Sequence, residues 1–159
     1  MSVNIRVATV ADAPLILTFI RELAEYERLL HEVEATEADI RRDLFGENPR
    51  SFCEIAEHNG QPVGFALWFY NYSTFRGRAG IYLEDLFVRP EARGVGAGKA
   101  LLARLARRCV DAELGRLEWA VLNWNTPSIE FYDSLGASAK TEWTVRRLDG
   151  EALERLAGP

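Results

Sequence analysis

Long apolar runs, cysteine, histidine and surplus positive charge are all scarce in this chain of 159 residues. The longest apolar stretch, Val63 to Tyr70, is far too short to cross a bilayer, which needs about 20 residues as a helix. Two cysteines, Cys53 and Cys109, stand alone on apolar faces and read as core thiols of a reducing compartment, not as a disulfide framework. With two histidines as scattered as the cysteines, no metal-ligand spacing is present and no metal is expected. Lys and Arg total 19 against 24 Asp and Glu, a net charge of −5 that argues against a nucleic-acid partner and suits a cationic substrate. The start, Ser2 to Thr9, mixes Asn4 and Arg6 into a short strand pattern, unlike a signal peptide. These features lead us to expect a cytoplasmic protein with no membrane contact, folded as one domain over residues 1–159.

What the chain does have is concentrated after residue 80. Arg93-Gly94-Val95-Gly96-Ala97-Gly98 separates the apolar run Ile81–Val88 from a helical pattern carried by Leu101, Leu102, Leu105, Ala106, Cys109 and Val110. Alternate glycines permit a tight turn, and a helix start presents unpaired N–H groups and the positive end of a dipole. A phosphate fits such a place, with Arg93 as an adjacent cation. Two other phosphate loops do not match. Lys99 stands where the dinucleotide fingerprint needs its third glycine, and Gly94 and Gly98 are one residue too close for an NTPase loop. Read alone, the segment is either an anion loop or a plain strand-to-helix turn.

Two further constellations carry chemistry. Glu84 and Asp85 interrupt an apolar strand, where a charge is costly unless paired or exposed in a cleft. Strand alternation would send them to opposite faces, so they are not expected to share one task. An ion pair with one of the arginines, or a carboxylate that holds an ammonium group and takes its proton, satisfies the pattern. Further on, Asn125-Thr126-Pro127-Ser128 reads as a helix start, with Tyr132 one turn beyond Ser128 on the same face. Tyr132 is there a packing aromatic or a proton donor.

The remaining elements follow from local signals. We expect a strand over Val3–Ala8, a capped helix through Leu15, Phe19, Leu23 and Tyr26, and a short helix from Thr36 towards Leu44. Ser51–Glu57 and Val63–Tyr70 flank His58-Asn59-Gly60-Gln61 as a hairpin. Asn71–Gly80 reads as a loop, Leu117–Leu122 and Thr141–Leu148 as strands, and Glu151–Leu156 as a tail helix. The order implies an α/β (α+β mixed) fold. Its central sheet would be mostly antiparallel, with one parallel strand pair and helices on both faces.

Tyr82-Leu83-Glu84-Asp85, the Arg93–Gly98 loop, Asn125-Thr126-Pro127-Ser128, Phe131-Tyr132-Asp133 and Gly136-Ala137 together resemble the diamine branch of the GNAT acetyltransferases. That branch includes spermidine/spermine and thialysine N-acetyltransferases, and the likeness covers nearly the whole chain. The resemblance implies the GNAT fold and acetyl-CoA as cosubstrate. It implies that Leu86, Phe87 and Val88 offer backbone groups to the pantetheine arm. Arg93, Gly94, Val95, Gly96, Ala97, Gly98 and Lys99 would cradle the pyrophosphate, and Asn125 and Ser128 would line the thiol end. Tyr132 would protonate the leaving thiolate, Glu84 would help deprotonate the amine, and Glu84, Asp85 and Glu142 would bind the substrate. The implied reaction is direct acetyl transfer to a primary amine of a small polyamine, diamine or thialysine-like molecule, by a homodimer. Acetylation of a protein lysine or N-terminus, or coenzyme A binding without turnover, are the other readings. Tyr72–Arg78 departs from the spermidine/spermine pattern by being basic, and as a pocket rim it would disfavour a long polycation and welcome a substrate carboxylate.

Overall fold

A computed structural model describes residues 2–159. It forms two compact units, the first ending at Leu122 and the second spanning Asn123–Pro159. The first holds a five-stranded sheet in the order β1 (Val3–Val7), β2 (Phe52–His58), β3 (Gln61–Ser73), β4 (Arg78–Val88) and β5 (Leu117–Trp119). The first four strands run antiparallel, and β5 lies parallel to β4. Neighbouring strands follow sequence order because tight turns join β2 to β3 and β3 to β4. Asn59 and Gly60 both take positive φ, 52° and 76°, as the two-residue hairpin turn requires.

Helices cover both faces, and the apolar alternation of the strands shows why. On one face α1 (Ala13–Tyr26) buries Ile16, Phe19 and Leu23 against Cys53, Ile55, Phe65 and Phe87. The rings of Phe19 and Phe65 stack at 5.4 Å. Thr36 begins α2 (Glu37–Phe45) by accepting a bond from the Asp39 backbone, and Ile40 joins the same core. Glu54, between Cys53 and Ile55, therefore points the other way and meets Arg108 of α3 (Ala97–Asp111). Burying that carboxylate is tolerable only with the charge partner, and Arg108 also lies over the Trp68 ring at 5.5 Å. Leu101 and Leu105 complete the packing of α3 on this face.

Three expectations need correction. Asn71–Gly80 is mostly ladder: Asn71 pairs Gly80 and Ser73 pairs Arg78, so the connection shrinks to residues 74–77. Polar residues there extend a hairpin already set by its aromatic neighbours, and Gly80 fits because a Cβ would come within 2.8 Å of both Arg116 O and Asn71 Oδ1. Strand β5 covers only Leu117–Trp119, not the run to Leu122. Thr141–Leu148 forms no strand among the described residues, although Trp143 and Val145 alternate with polar neighbours. Alternation supplies a face but not a hydrogen-bonding partner, and without one the segment is a turn at Thr141–Glu142 followed by irregular chain, with Trp143 and Val145 exposed. The second unit otherwise consists of α4 (Thr126–Ser134) and α5 (Gly150–Ala157).

The entry to α1 rests on one nearly buried acid. Asp12 receives Arg6 Nη1 at 2.8 Å, Arg6 Nη2 at 2.9 Å and the Thr9 backbone N–H at 2.8 Å. The Arg6 guanidinium first, and the Thr9 N–H after it, hold the Asp12 carboxyl below its ordinary value. A depressed folded-state pKa gives stability that is present above the unfolded value of about 3.9 and lost as pH falls through the folded one. Asp12→Asn should therefore cost about 1–2 kcal/mol at pH 7 and flatten the acid limb of stability below about pH 4, read by urea denaturation across pH.

Candidate active site

Strand β4 delivers the chain to the glycine loop. After Val88 a single 3-10 turn, Pro90–Ala92, leads to Arg93, and Gly96 caps α3 with φ +89°. Gly94 has the same φ, and a Cβ added at either glycine would meet no atom within 4 Å. The space before the loop is therefore open, and only glycine holds this backbone without strain. The first bond of α3 runs from Ala100 N to Gly96 O at 2.9 Å. The N–H groups of Ala97, Gly98 and Lys99 thus have no partner within the helix and could receive an anion at its positive end. Arg93 is fixed beside it, its Nε donating to Val88 O at 3.1 Å and its guanidinium 4.8 Å from the centroid of Tyr26. A diphosphate fits this set: outward N–H groups, an open approach and a positioned fork.

The same strand changes its pairing just before the loop. The β4–β5 ladder ends at Leu83 and Trp119, whereas β4 runs on to Val88 against β3 alone. Among the described residues one edge of Glu84–Val88 is thus without a strand partner. Phe87 buries its side chain beside Phe19 at 6.4 Å, so Leu86, Phe87 and Val88 offer main chain along that edge. An extended ligand arm can add there as a further strand would.

Opposite β3 the register jumps, with Leu67 facing Asp85 and Trp68 facing Leu83. Glu84 is the extra residue of a β-bulge, which interrupts the alternation expected to separate it from Asp85. Glu84 is exposed and Asp85 half-buried. Burial first, then the charges of Glu84 and Glu27, push the Asp85 carboxyl up to about 7. Glu27 caps the C-terminal end of α1, and burial raises its carboxyl as well. No cation is paired with Glu27, Glu84 or Asp85 in the ion pairs of the described residues. Farther down β4, Tyr82 lies opposite Glu118 of β5 and stacks near Phe69 at 5.3 Å. Burial first, then Glu84 and Glu118, raise its phenol. Together these groups set a row of acidic side chains beside an aromatic pair, a setting suited to an amine cation.

In the second unit Asn125, not Thr126, caps α4: its Oδ1 accepts from Ser128 N at 3.4 Å, and its side chain is buried. Tyr132 follows one turn after Ser128, half-buried, its ring 5.6 Å from that of Phe131. Gly136, with φ +87°, closes the helix while Ala137 N bonds Tyr132 O at 3.2 Å. Glu142 is exposed on the unpaired segment. The two basic residues of the β3–β4 turn are committed to backbone: Arg76 donates to Gly115 O and Arg78 to Glu113 O, each at 3.1 Å. Arg78 is also six residues from Glu84, about 20 Å of strand. The rim expected of this turn is thus displaced from the carboxylates.

Four residues of the region escaped the sequence reading. Tyr26 and Glu27 sit at the end of a helix whose apolar stripe explained Tyr26 fully. An acid at the negative end of a helix dipole was the signal for Glu27. Glu118 belongs to no motif and Tyr82 only opens the Tyr82–Asp85 one without a task of its own, and the two become neighbours only through β4–β5 pairing. Among the described residues no cluster of His, Cys, Asp and Glu is arranged for a metal ion, and no helix is long and apolar enough to cross a membrane.

Residues 17–137 match the model of the family described as Acetyltransferase (GNAT) family. A thialysine N-epsilon-acetyltransferase from Sus scrofa is 43% identical over 168 residues, covering 99% of this chain and 98% of that protein. Its Bos taurus counterpart is 42% identical over 167 residues, with 98% of each covered. Among solved structures, an integron cassette protein from V. cholerae superposes with a TM-score of 0.82 at 29% identity, over 100% of this chain and 99% of that one.

The raised Asp85 carboxyl has a measurable consequence. A folded pKa above the unfolded value gives a contribution that is complete below the unfolded pKa and lost as pH rises through the folded one. Asp85→Asn should thus melt close to the parent below about pH 4 and above it at pH 9. Carboxyl 13C NMR of the parent should show Asp85 titrating near 7, and a midpoint below 5 would remove the burial argument.

Proposed function

Because this chain belongs to the acetyltransferase (GNAT) family and is an N-acetyltransferase, we propose that it acetylates the primary amine of a small thialysine-like or diamine molecule with acetyl-CoA as donor. The observation that carries the proposal is one continuous stretch of chain, the β4 bulge with Glu84 and Asp85 followed by the open loop at Gly94 and Gly96. Acetyl-CoA supplies an activated thioester. Everything else is done by this chain.

The loop N–H groups with Arg93 and Lys99 hold the pyrophosphate, and Leu86–Val88 align the pantetheine arm along the unpaired strand edge. Asn125 and Ser128 border the thiol end. An alkylamine of pKa about 10.4 arrives protonated, and only its neutral form attacks a carbonyl carbon. The carboxylates of Glu84 and Asp85 hold the ammonium ion, and Glu84 takes its proton directly or through water. Tyr132 Oη donates a proton to the leaving sulfur, completing a direct transfer without a covalent enzyme intermediate. Burial drives the Cys53 thiol far above its ordinary range, which supports that route. Glu142 is the remaining acidic contact for the substrate. Residues 1–159 act as one acetyltransferase domain, and the family resemblance supports a cytoplasmic homodimer.

Thiol release from acetyl-CoA across thialysine, lysine, diamines, spermine and basic peptides tests the reaction. Turnover with small amines is expected, and turnover with peptides alone would redirect the proposal to protein acetylation. Tyr132→Phe should lower kcat by about 10²-fold with little change in KM, and a loss under threefold would leave Tyr132 a packing residue. At Gly96, valine would place a branched side chain at φ +89° in the open approach. Gly96→Val should raise KM for acetyl-CoA about tenfold or more, with its folding checked by circular dichroism.

A further inference from the structure

The row of polar side chains does not end with the carboxylates. Beyond Tyr82 and Glu118, on the same face, Arg116 of the turn into β5 lies over Gly80, whose missing Cβ would stand 3.6 Å from Arg116 Cγ and 2.8 Å from Arg116 O. Its Nε donates to Glu118 Oε1 at 2.9 Å, and Asn71 Nδ2 donates to the same oxygen at 3.2 Å. Glu118 is thus anchored from two sides and in turn fixes the plane of the guanidinium. An arginine carries five N–H donors. One is spent on Glu118, and the terminal pair of nitrogens remains on a side chain 40% exposed. A half-exposed, oriented fork of this kind matches a carboxylate in two parallel bonds.

From acid end to basic end the row reads Glu84 and Asp85, then the Tyr82–Phe69 floor, then Arg116. Gly80, beneath Arg116, is four residues from Glu84, about 13 Å of strand. An extended lysine-like side chain together with the reach of the arginine spans such a gap. Arg76 and Arg78 do not compete for this role, since both are tied to backbone carbonyls farther along the hairpin.

We propose that Arg116 is a specificity-determining residue that receives the carboxylate of an amino-acid acceptor whose side-chain amine lies at the Glu84–Asp85 bulge. The substrate class is then a basic amino acid with a free carboxylate, ahead of diamines and polyamines. The inference rests on the N-acetyltransferase reading above. A diamine offers Arg116 a second cation, and the resulting repulsion selects against it.

The test compares kcat/KM for thialysine with that for the diamine formed by removing its carboxylate, in the parent and two variants. The parent should prefer the amino acid. Arg116→Met should lower kcat/KM for the amino acid about tenfold or more through KM, leaving the diamine unchanged or improved as Glu118 loses its counter-ion. Glu118→Gln, which removes a competitor for the guanidinium, should keep or strengthen the amino-acid preference. A preference that moves less than twofold in Arg116→Met, or equal losses on both substrates, overturns the proposal. A parent that acetylates only amines without a carboxylate also overturns it, while the N-acetyltransferase reading stands. A parent that acetylates no amine removes the reading beneath it.

Discussion

Strand β4 must satisfy two demands that conflict in an ordinary strand. It is laddered to β3 along its length and to β5 over Ile81–Leu83, yet it carries two adjacent carboxylates into the middle of the sheet. The bulge at Glu84 reconciles them. One extra residue turns Glu84 outward while Asp85 stays half-buried, and the pairing with β5 stops one residue earlier. The unpaired edge that follows, the turn at Pro90 and the left-handed glycines are all placed by where β4 ends. The proposed donor and acceptor features thus share one segment of backbone, and a shift in its register would displace both.

The packing on either side holds that register. On the α1 face the Phe19, Phe65 and Phe87 rings interlock, fixing β3 and β4 against the helix. On the opposite face the buried Glu54 carboxylate anchors α3 through Arg108, and α3 is the helix whose first turn is proposed to hold the pyrophosphate. A buried pair of this kind adds little net stability, but breaking it leaves a charge without compensation. Its contribution is orientation. The end of α1 bears on both stretches, with the Tyr26 ring against the Arg93 guanidinium and the charge of Glu27 raising the Asp85 carboxyl.

Much of this was legible in the sequence because it is encoded locally. The Asn59-Gly60 turn, the Thr36 cap, the glycine loop and the α3 stripe each depend on a few adjacent residues, and each forms where expected. The bulge was not legible, since alternation predicts opposite faces for Glu84 and Asp85 and only cross-strand pairing shows the extra residue. Tyr82, Glu118 and Arg116 gain meaning only from β5 lying parallel to β4, a long-range event. Thr141–Leu148 failed for the converse reason: its pattern is strand-like, but no ladder forms on either side.

Coenzyme A is proposed to bind along the chain from the β4 bulge to the first turn of α3. Amide 1H–15N NMR during titration with coenzyme A tests it most directly. The largest shifts are expected at Gly94–Lys99 and along Leu86–Val88, saturating together, with the β2–β3 turn at Asn59 and Gly60 unmoved. Saturable binding of coenzyme A that leaves the Gly94–Lys99 amides unperturbed would contradict it.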